Sequence, residues 1–494
     1  MLNLKILMIK GGGLEVNYQK VTPELVALLA DITGPGYVIH DDREKMLPYS
    51  HDEIFESGYT TMPEVVVKPR TAAEVSLIMQ LAVQENIPVT PRGAGSGLSG
   101  GAVPLYGGIL LSLERMNSIL EIDRENLMVV LEPGVITNEL NRSLAGEGLF
   151  YAGYPLSLEN CFIGGNVAEN AGGARAIKYG VTGRYVHGLE VVLPSGKIME
   201  LGGKRLKDVT GYDLLQLLVG SEGTLGIFTR ITLRVLPLPP ASAVLLAPFP
   251  DVESAVKAAP RMMIESGIVP AAIELIDRRS MELGCRFRNE KAPNMQQAGS
   301  YLLIEVDGGT EEVERNYNIL ADHCLEGGAL DVYVANTPST REKFWKLRAV
   351  IGEAIKAYCG DNAAEDIVVP PSSIPALLAE TESLSDRYGL ESVCFGHLGD
   401  GNVHIHLLKK EDTMTDEKYW QAIHTMLEKL YTIAHQLGGT LSGEHGIGHK
   451  RKKYLPFVLG ETELDLMQGI KAIFDPTCIL NPGKIIGPDP TPEE

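Results

Sequence analysis

Residues 393–408 read VCFGHLGDGNVHIHLL, placing His397, His404 and His406 in two apolar runs on either side of a turn-rich GDGN. Asp-Gly is a strong signal for a two-residue hairpin loop. With Asp400 and Gly401 as that loop, Gly399 faces Asn402, Leu398 faces Val403 and His397 faces His404. The two imidazoles then share one face with Cβ atoms about 5 Å apart. A pair so placed can chelate a divalent metal. His406, one strand period further on, joins that face as a ligand, a substrate contact or an outer support. A lone strand histidine is more often a satisfied core residue, but three on one hairpin face resist that reading.

The second stretch with chemical potential is PRGAGSGLSGGA at 91–102, with glycines at 93, 95, 97, 100 and 101 directly after the apolar run Ile87 to Thr90. Glycine accepts positive φ and close backbone approach, so successive amides can converge on an anion such as a pyrophosphate. Taken alone, the run reads equally well as a flexible linker.

These residues need elements to position them. Thr71 and Glu74 stand at capping-box spacing, and Val75, Ile78, Met79 and Ala82 follow at helical spacing, so a helix leads into a strand and then the glycine loop. Strands are predicted at 108–113, 127–132 and 189–194, the last turning through Ser195-Gly196 into 197–201. The LPLPP run at 236–240 stops helix and central strand alike and marks a boundary. Beyond it, strands at 243–247, 301–306 and 330–335 alternate with helices at 251–266, 311–326 and 338–358, the pattern of a sheet covered by helices. A glycine-rich, basic segment from about Ser442 and a helix at 461–474 lead to NPGK at 481–484, which is expected to return to the first domain. The expected division is an N-terminal extension at 1–20, a cofactor domain at 21–238, a substrate (cap) domain at 239–441 and a completing segment at 442–494. The proline-bearing tail after Gly487 is expected to be loose.

Composition narrows the function. The 494 residues are 44% hydrophobic and 22% charged, an ordinary globular balance that allows two to four structural units at about 100 to 200 residues each. Lys and Arg number 44 against 64 Asp and Glu, a net charge of −20 that argues against nucleic acid and an anionic membrane surface. An anionic substrate remains compatible wherever a few cations are focused in a cleft. The six cysteines (161, 285, 324, 359, 394 and 478) include no Cys-x-x-Cys pair, so neither zinc nor an iron-sulfur cluster is indicated through thiolates. Leu2 to Ile9 is too short for a membrane span and has no convincing cleavage site, which points to a cytoplasmic protein.

Two further motifs, CFIGGNVAENAGGARAIKYG at 161–180 and LVGSEGTLGIFTRITLRVLP at 218–237, accompany the glycine loop. Together the three resemble the FAD-binding domain of the vanillyl-alcohol oxidase superfamily. Within it they are most similar to the branch holding the glycolate oxidase FAD subunit, D-lactate dehydrogenase and D-2-hydroxyglutarate dehydrogenase. The resemblance implies an α+β fold: a two-subdomain FAD-binding domain, a cap with a helix-covered antiparallel sheet, and a returning C-terminal segment. It is not a Rossmann fold, and NAD is not implied. It assigns the FAD pyrophosphate to the loop of Pro91, Arg92, Gly93, Ala94, Gly95, Ser96, Gly97 and Ser99. It places Pro155, Gly164, Gly165, Asn166, Asn170 and Gly173, with Gly223, Ile227 and Asn481, around the rest of the cofactor. Some relatives hold FAD covalently through a histidine in this loop; residues 91–102 have none, so non-covalent FAD is expected.

SGEHGIGHKRKK at 442–453 resembles the C-terminal signature of the same branch and implies that Glu444 completes a metal site with His397 and His404. Such a set leaves positions open for substrate and suits zinc, manganese or iron. His445 is the expected base, since an unperturbed imidazole titrates at about 6.5. The basic run His449 to Lys453 is expected to be a solvated face, with electrostatic steering of an anion as the sharper alternative. Arg348, in FWKLR, matches an arginine that grips the substrate carboxylate, a task suited to its rigid fork; a helix-surface salt bridge is the bland alternative. Relatives acting on 2-hydroxyglutarate carry a lysine downstream, where this chain has Glu365 and Asp366, and tend to have asparagine in place of His406. Both departures favour a monocarboxylate such as D-lactate or glycolate. The expected reaction is metal-assisted oxidation to the 2-oxo acid, with hydride passing to flavin and electrons to a separate iron-sulfur or flavoprotein acceptor. The competing readings are a non-catalytic FAD subunit of an oxidase complex and a non-redox flavin transferase.

Overall fold

The computed structural model describes residues 17–54, 56, 58–360, 362–410 and 414–487. Most of the expected N-terminal extension and the tail after Gly487 lie outside these residues.

Thr71 caps the helix Ala72–Glu85, its hydroxyl accepting from Glu74 N, while the Glu74 carboxylate reaches back to Arg70 N instead of the cap's own amide. Asn86, left-handed at φ 53°, ends the helix and turns the chain into the strand Val89–Arg92. That strand runs parallel to Ile109–Ser112, which is parallel in turn to Val65–Val67, and the short strand Val38–Ile39 completes a four-stranded sheet. A crossover helix feeding a parallel strand is the ordinary way to make such a pair. The glycine loop therefore leaves the end of a buried strand.

A second sheet is antiparallel, in the order Ile119–Asp123, Met128–Leu131, Ile227–Arg234, Val186–Val192, Ile198–Gly202. The LPLPP segment is extended, and its Leu236 and Pro237 pair with Phe150 and Leu149.

The third sheet has seven strands, all antiparallel, in the order Tyr333–Ala335, Ala241–Phe249, Ser300–Gly308, Ala272–Asp277, Leu390–His397, Asn402–Lys409, Ala363–Val368. Helices Val252–Ser266, Thr310–Glu326, Ile374–Tyr388 and Asp416–Gln436 cover one face, burying Val256, Leu320, Leu377 and Ile423 against Ile273, Leu275, Ile304 and Ile405. Arg278–Arg288, Pro338–Ala349 and Ile351–Cys359 cover part of the other, where Met281, Leu347 and Ile351 meet Ile276, Leu303 and Phe395. The sequence predicts one helix over 338–358; the structure has two, because Val350 departs from helical ψ (φ −81°, ψ −2°).

The chain then comes back to the first sheet. Val89 N donates to Ile479 O and Asn481 N to Val89 O, at 2.9 and 2.7 Å. Among the described residues no helix is long and apolar enough to cross a membrane.

Candidate active site

The hairpin differs from the expected register by two residues. His397 pairs with Asn402, Phe395 with His404 and Val393 with His406, so the loop spans four residues, 398–401. Leu398 is drawn into the helix-covered core and Gly399 N bonds Ile273 O, which takes both out of the ladder. A shift of two conserves the face of every side chain. His397, His404 and His406 therefore still point the same way, but His397 and His404 are diagonal neighbours, with ring centres 5.2 Å apart and planes nearly perpendicular.

The strands flanking the hairpin place a carboxylate beside each of these two rings. On one side Glu274 pairs in register with His397, and its Oε1 meets His397 Nδ1 at 2.5 Å. On the other, Asp366 pairs with His404, with 3.8 Å between Oδ1 and Nδ1. The outward nitrogens converge: Nε2 of His397 and Nε2 of His404 are each 3.4 Å from Glu444 Oε1, and Nε2 of His445 is 3.7 Å away. His445 stacks on His404 with ring centres 5.2 Å apart.

Asp366 holds the loop that carries Glu444 and His445. Its Oδ2 accepts from Ser442 Oγ and from the amides of Gly443, Glu444 and His445, and its Oδ1 from Asn402 Nδ2. Burial alone would raise the pKa of this carboxyl, but His445, His404 and these donors hold it far below the usual range. Burial likewise opposes ionisation of Glu444, yet His397 and the other imidazoles bring it down to about 2. Burial dominates at His404 and His406 and lowers each to about 3, leaving neutral rings with lone pairs to offer. At His397 burial is outweighed by Glu274 and then Glu444, which raise its pKa.

Two overlapping donor sets result. Asp366, His404, Glu444 and His445 each offer one atom within 4.8 Å of the others. Asp366, however, has both oxygens committed, Oδ2 to the loop and Oδ1 to Asn402, whereas His397, held at Nδ1, presents Nε2 to the centre. The set His397, His404 and Glu444 thus has the less committed ligand atoms, His397 exchanging its Nε2 proton for the ion. Glu444 Oε2 is buried without a hydrogen-bond partner, as suits a group able to hold a divalent ion.

Arg348, in the last turn of Pro338–Ala349, is 3% exposed. Its Nε donates to Glu274 Oε2 at 2.7 Å, its guanidinium lies 4.6 Å from the Phe395 ring centre, and its Nη2 is buried without a partner. The bland alternative of a surface salt bridge does not hold. One continuous cavity runs from the glycine loop to Arg348, His404, His406, Glu444 and His445. The His406 ring also bonds Asn362 Oδ1 and stacks on Phe395.

A family model described as the FAD binding domain matches residues 63–202, and one described as the C-terminal domain of FAD-linked oxidases matches residues 238–485. The chain belongs to the FAD-linked oxidase family. This oxidase is 38% identical over 476 residues to a D-lactate dehydrogenase of Anaerostipes hadrus, covering 95% of its own length and 99% of the relative. It is also 38% identical over 472 residues to the glycolate oxidase subunit GlcD of Bacillus subtilis strain 168, covering 95% and 98%. Among solved structures, p-cresol methylhydroxylase with substrate bound superposes with a TM-score of 0.77 at 18% identity, over 96% of this chain and 99% of that one. This last likeness is one of fold alone. The architecture is of vanillyl-alcohol oxidase type, as the motifs implied.

The FAD-linked oxidase has a loop that fits such a cofactor. Among the described residues, no amide from Gly93 to Ser99 has a protein acceptor, so the loop offers a run of unspent donors. Gly95, at φ +75°, leaves the place of a Cβ to the Arg92 guanidinium, which braces the loop by donating to Pro48 O and His51 O. A Cβ on Gly97 or Gly165 would meet no protein atom within 4 Å, so both glycines border open cavity. Pro91, Ala94, Ser96 and Ser99 line the same space, as do Pro155, Gly164, Asn166, Gly223 and Ile227.

Four sequence-predicted residues do not line that cavity. His397 stands behind Glu444 and borders a smaller cleft with Gly173, whose Cβ position lies against Tyr154 O at 2.5 Å. Asn170 ends the helix Ile163–Glu169 and its Oδ1 accepts from Gly183 N. Asn481 donates to Gly101 O and Glu222 O, fastening the C-terminal segment to the loop. The basic run is a correction: Lys450 and Arg451 are buried at 5% and 0% exposure, not solvated, because Glu365 and Glu56 pair with them inside the protein. Sequence reasoning missed Glu274 altogether. The available signal was an acid inside the apolar strand AIELID, since a charged residue is almost never fully buried without partners.

Proposed function

We propose that this FAD-linked oxidase dehydrogenates a small D-2-hydroxy monocarboxylate, such as D-lactate or glycolate, to the 2-oxo acid. The observation that carries the reading is the shared cavity, which Arg348, His445 and Glu444 line together with the donor-rich glycine loop, Arg348 Nη2 having no hydrogen-bond partner. The names of the two relatives point to the same substrates.

Arg348 takes the substrate carboxylate, its fork already oriented by Glu274 and the Phe395 ring. His445 accepts the hydroxyl proton, and the His404 ring stacked on it keeps it in place. Bound FAD supplies the hydride acceptor, and a divalent ion held by His397, His404 and Glu444 supplies the Lewis acid. Phe395 and the buried hairpin face exclude water from the reacting carbon. Among the described residues lining the cavity, the arginine and lysine cations are Arg92, spent on backbone carbonyls, and Arg348. One carboxylate is therefore provided for, and a dicarboxylate is disfavoured. Reoxidation is assigned to a separate acceptor, in keeping with the relative named as a glycolate oxidase subunit.

Anaerobic bleaching of the flavin band at about 450 nm tests this reading. D-lactate or glycolate should bleach it rapidly, and D-2-hydroxyglutarate slowly or not at all. Faster bleaching by D-2-hydroxyglutarate would overturn the monocarboxylate assignment; no bleaching by any of them would favour the non-catalytic subunit or the transferase.

A further inference from the structure

Glu274 lies outside every motif discussed so far, yet it touches both halves of the substrate site. Its side chain is completely buried in the middle of the seven-stranded sheet. One oxygen accepts from Arg348 Nε at 2.7 Å and the other meets His397 Nδ1 at 2.5 Å. Arg348 comes from a helix lying across the sheet and His397 from the neighbouring strand, so no local sequence constraint brings them together.

We propose that Glu274 is a positioning residue joining the carboxylate grip to the metal-holding histidine, so that one buried carboxylate sets the geometry of both. This rests on the roles given above to Arg348 and His397. An ionised carboxylate only accepts, so Glu274 keeps a His397 proton on Nδ1, and Nε2, which faces Glu444 Oε1 at 3.4 Å, is the nitrogen that would exchange its proton for a metal. On the other side, Glu274 engages Arg348 through Nε and leaves Nη2 without a partner in a residue that lines the cavity. Bidentate recognition needs the fork held in one plane, and Glu274 on its edge with Phe395 against its face fixes that plane. An ion pair serving stability alone has no reason to satisfy a metal-directed imidazole and a substrate-directed guanidinium with the same two oxygens.

Glu274→Gln tests the proposal because it keeps the shape and changes the donor pattern. The arginine Nε–H requires an acceptor, so the glutamine carbonyl faces Arg348 and its NH2 faces His397 Nδ1. The ring proton then moves to Nε2 and blocks the metal lone pair. Metal affinity, read by chelator competition with zinc and with manganese, should fall about 10- to 100-fold while FAD content holds. Excess metal should restore turnover with D-lactate in E274Q. Glu274→Asp keeps the charge but is one methylene short, reaches one partner, and should move either metal affinity or the KM for D-lactate about tenfold. Unchanged metal affinity and KM in either folded variant would overturn the proposal, as would loss of FAD and of the folded state in both, which makes Glu274 a folding residue. A wild-type protein that binds neither metal overturns this inference together with the metal reading above. A metal-binding wild type with indifferent variants overturns the inference alone.

Discussion

On one side of the cavity the protein presents backbone: seven consecutive residues, Gly93 to Ser99, whose amides have no protein acceptor among the described residues, with Gly165 opening beside them. On the other side it presents side chains, drawn from the strands Leu390–His397, Asn402–Lys409 and Ala363–Val368, the helix Pro338–Ala349 and the loop at 442–445, with Glu274 of the strand Ala272–Asp277 behind them. The first wall is written within one short stretch and depends on the absence of side chains. The second exists only when distant segments pair in the right register. A wall of amides should tolerate most changes of side chain and fail where a Cβ intrudes, whereas a wall of side chains should fail at single functional groups while the fold persists.

The largest effect should come from His404→Ala. Removing a candidate ligand should slow flavin reduction by D-lactate roughly 10³-fold, the equivalent of several kcal/mol of Lewis-acid stabilisation, with FAD still bound. Flavin reduction at the wild-type rate would break the division between the walls. Arg348→Lys should come next, raising the KM for D-lactate about 10- to 100-fold, since a charge-assisted hydrogen bond contributes about 1.5 to 3 kcal/mol and a lysine cannot supply the fork.

A pair of glycine variants sharpens the contrast on the backbone side. A Cβ on Gly164 would meet Pro133 Cβ at 2.5 Å, so Gly164→Ala should lower the unfolding midpoint by the cost of overpacking, about 1 to 3 kcal/mol. Gly165→Ala meets nothing in the protein and should leave the apoprotein's unfolding unchanged while weakening FAD binding; equal effects of the two on unfolding would contradict the cradle.

The smallest effect concerns the segment that ties the walls together. Lys484 is buried with its ammonium donating to Val103 O, and burial lowers its pKa from 10.5 to about 7. Between those values the unfolded state binds more protons than the folded one, so this residue's contribution to stability rises with pH across that window. The melting temperature of the wild type should therefore gain on that of Lys484→Met between about pH 7 and pH 9; a constant difference would count against the assignment.

The same contrast explains what the sequence made readable. The glycine loop and its leading helix and strand are local, so capping residues and periodicity located them. The hairpin face survived an incorrect register because the error was even: His397 and His404 stayed on one side although their pairing changed. The strands that escaped notice, Ala272–Asp277 and Ala363–Val368, carry Glu274 and Asp366, and an acid inside an apolar run reads as a surface interruption until its partners are known. Glu365 and Asp366 entered the reading only as negative charges opposing a second substrate carboxylate, while their structural work is to hold Arg451 and the loop of Glu444. Lys450 and Arg451 were misplaced for the same reason, since a run of like charge is solvated only where no buried acids wait for it.

The central claim is that the two walls act on one substrate, the amide loop holding FAD and the histidine-carboxylate wall holding a metal and the hydroxy acid. The most direct measurement is anaerobic flavin reduction by D-lactate in protein stripped with a chelator, with FAD content followed in parallel, before and after adding back zinc or manganese. The account predicts that stripping abolishes reduction while FAD remains bound and that metal restores it. Reduction at an undiminished rate in fully stripped protein would contradict it.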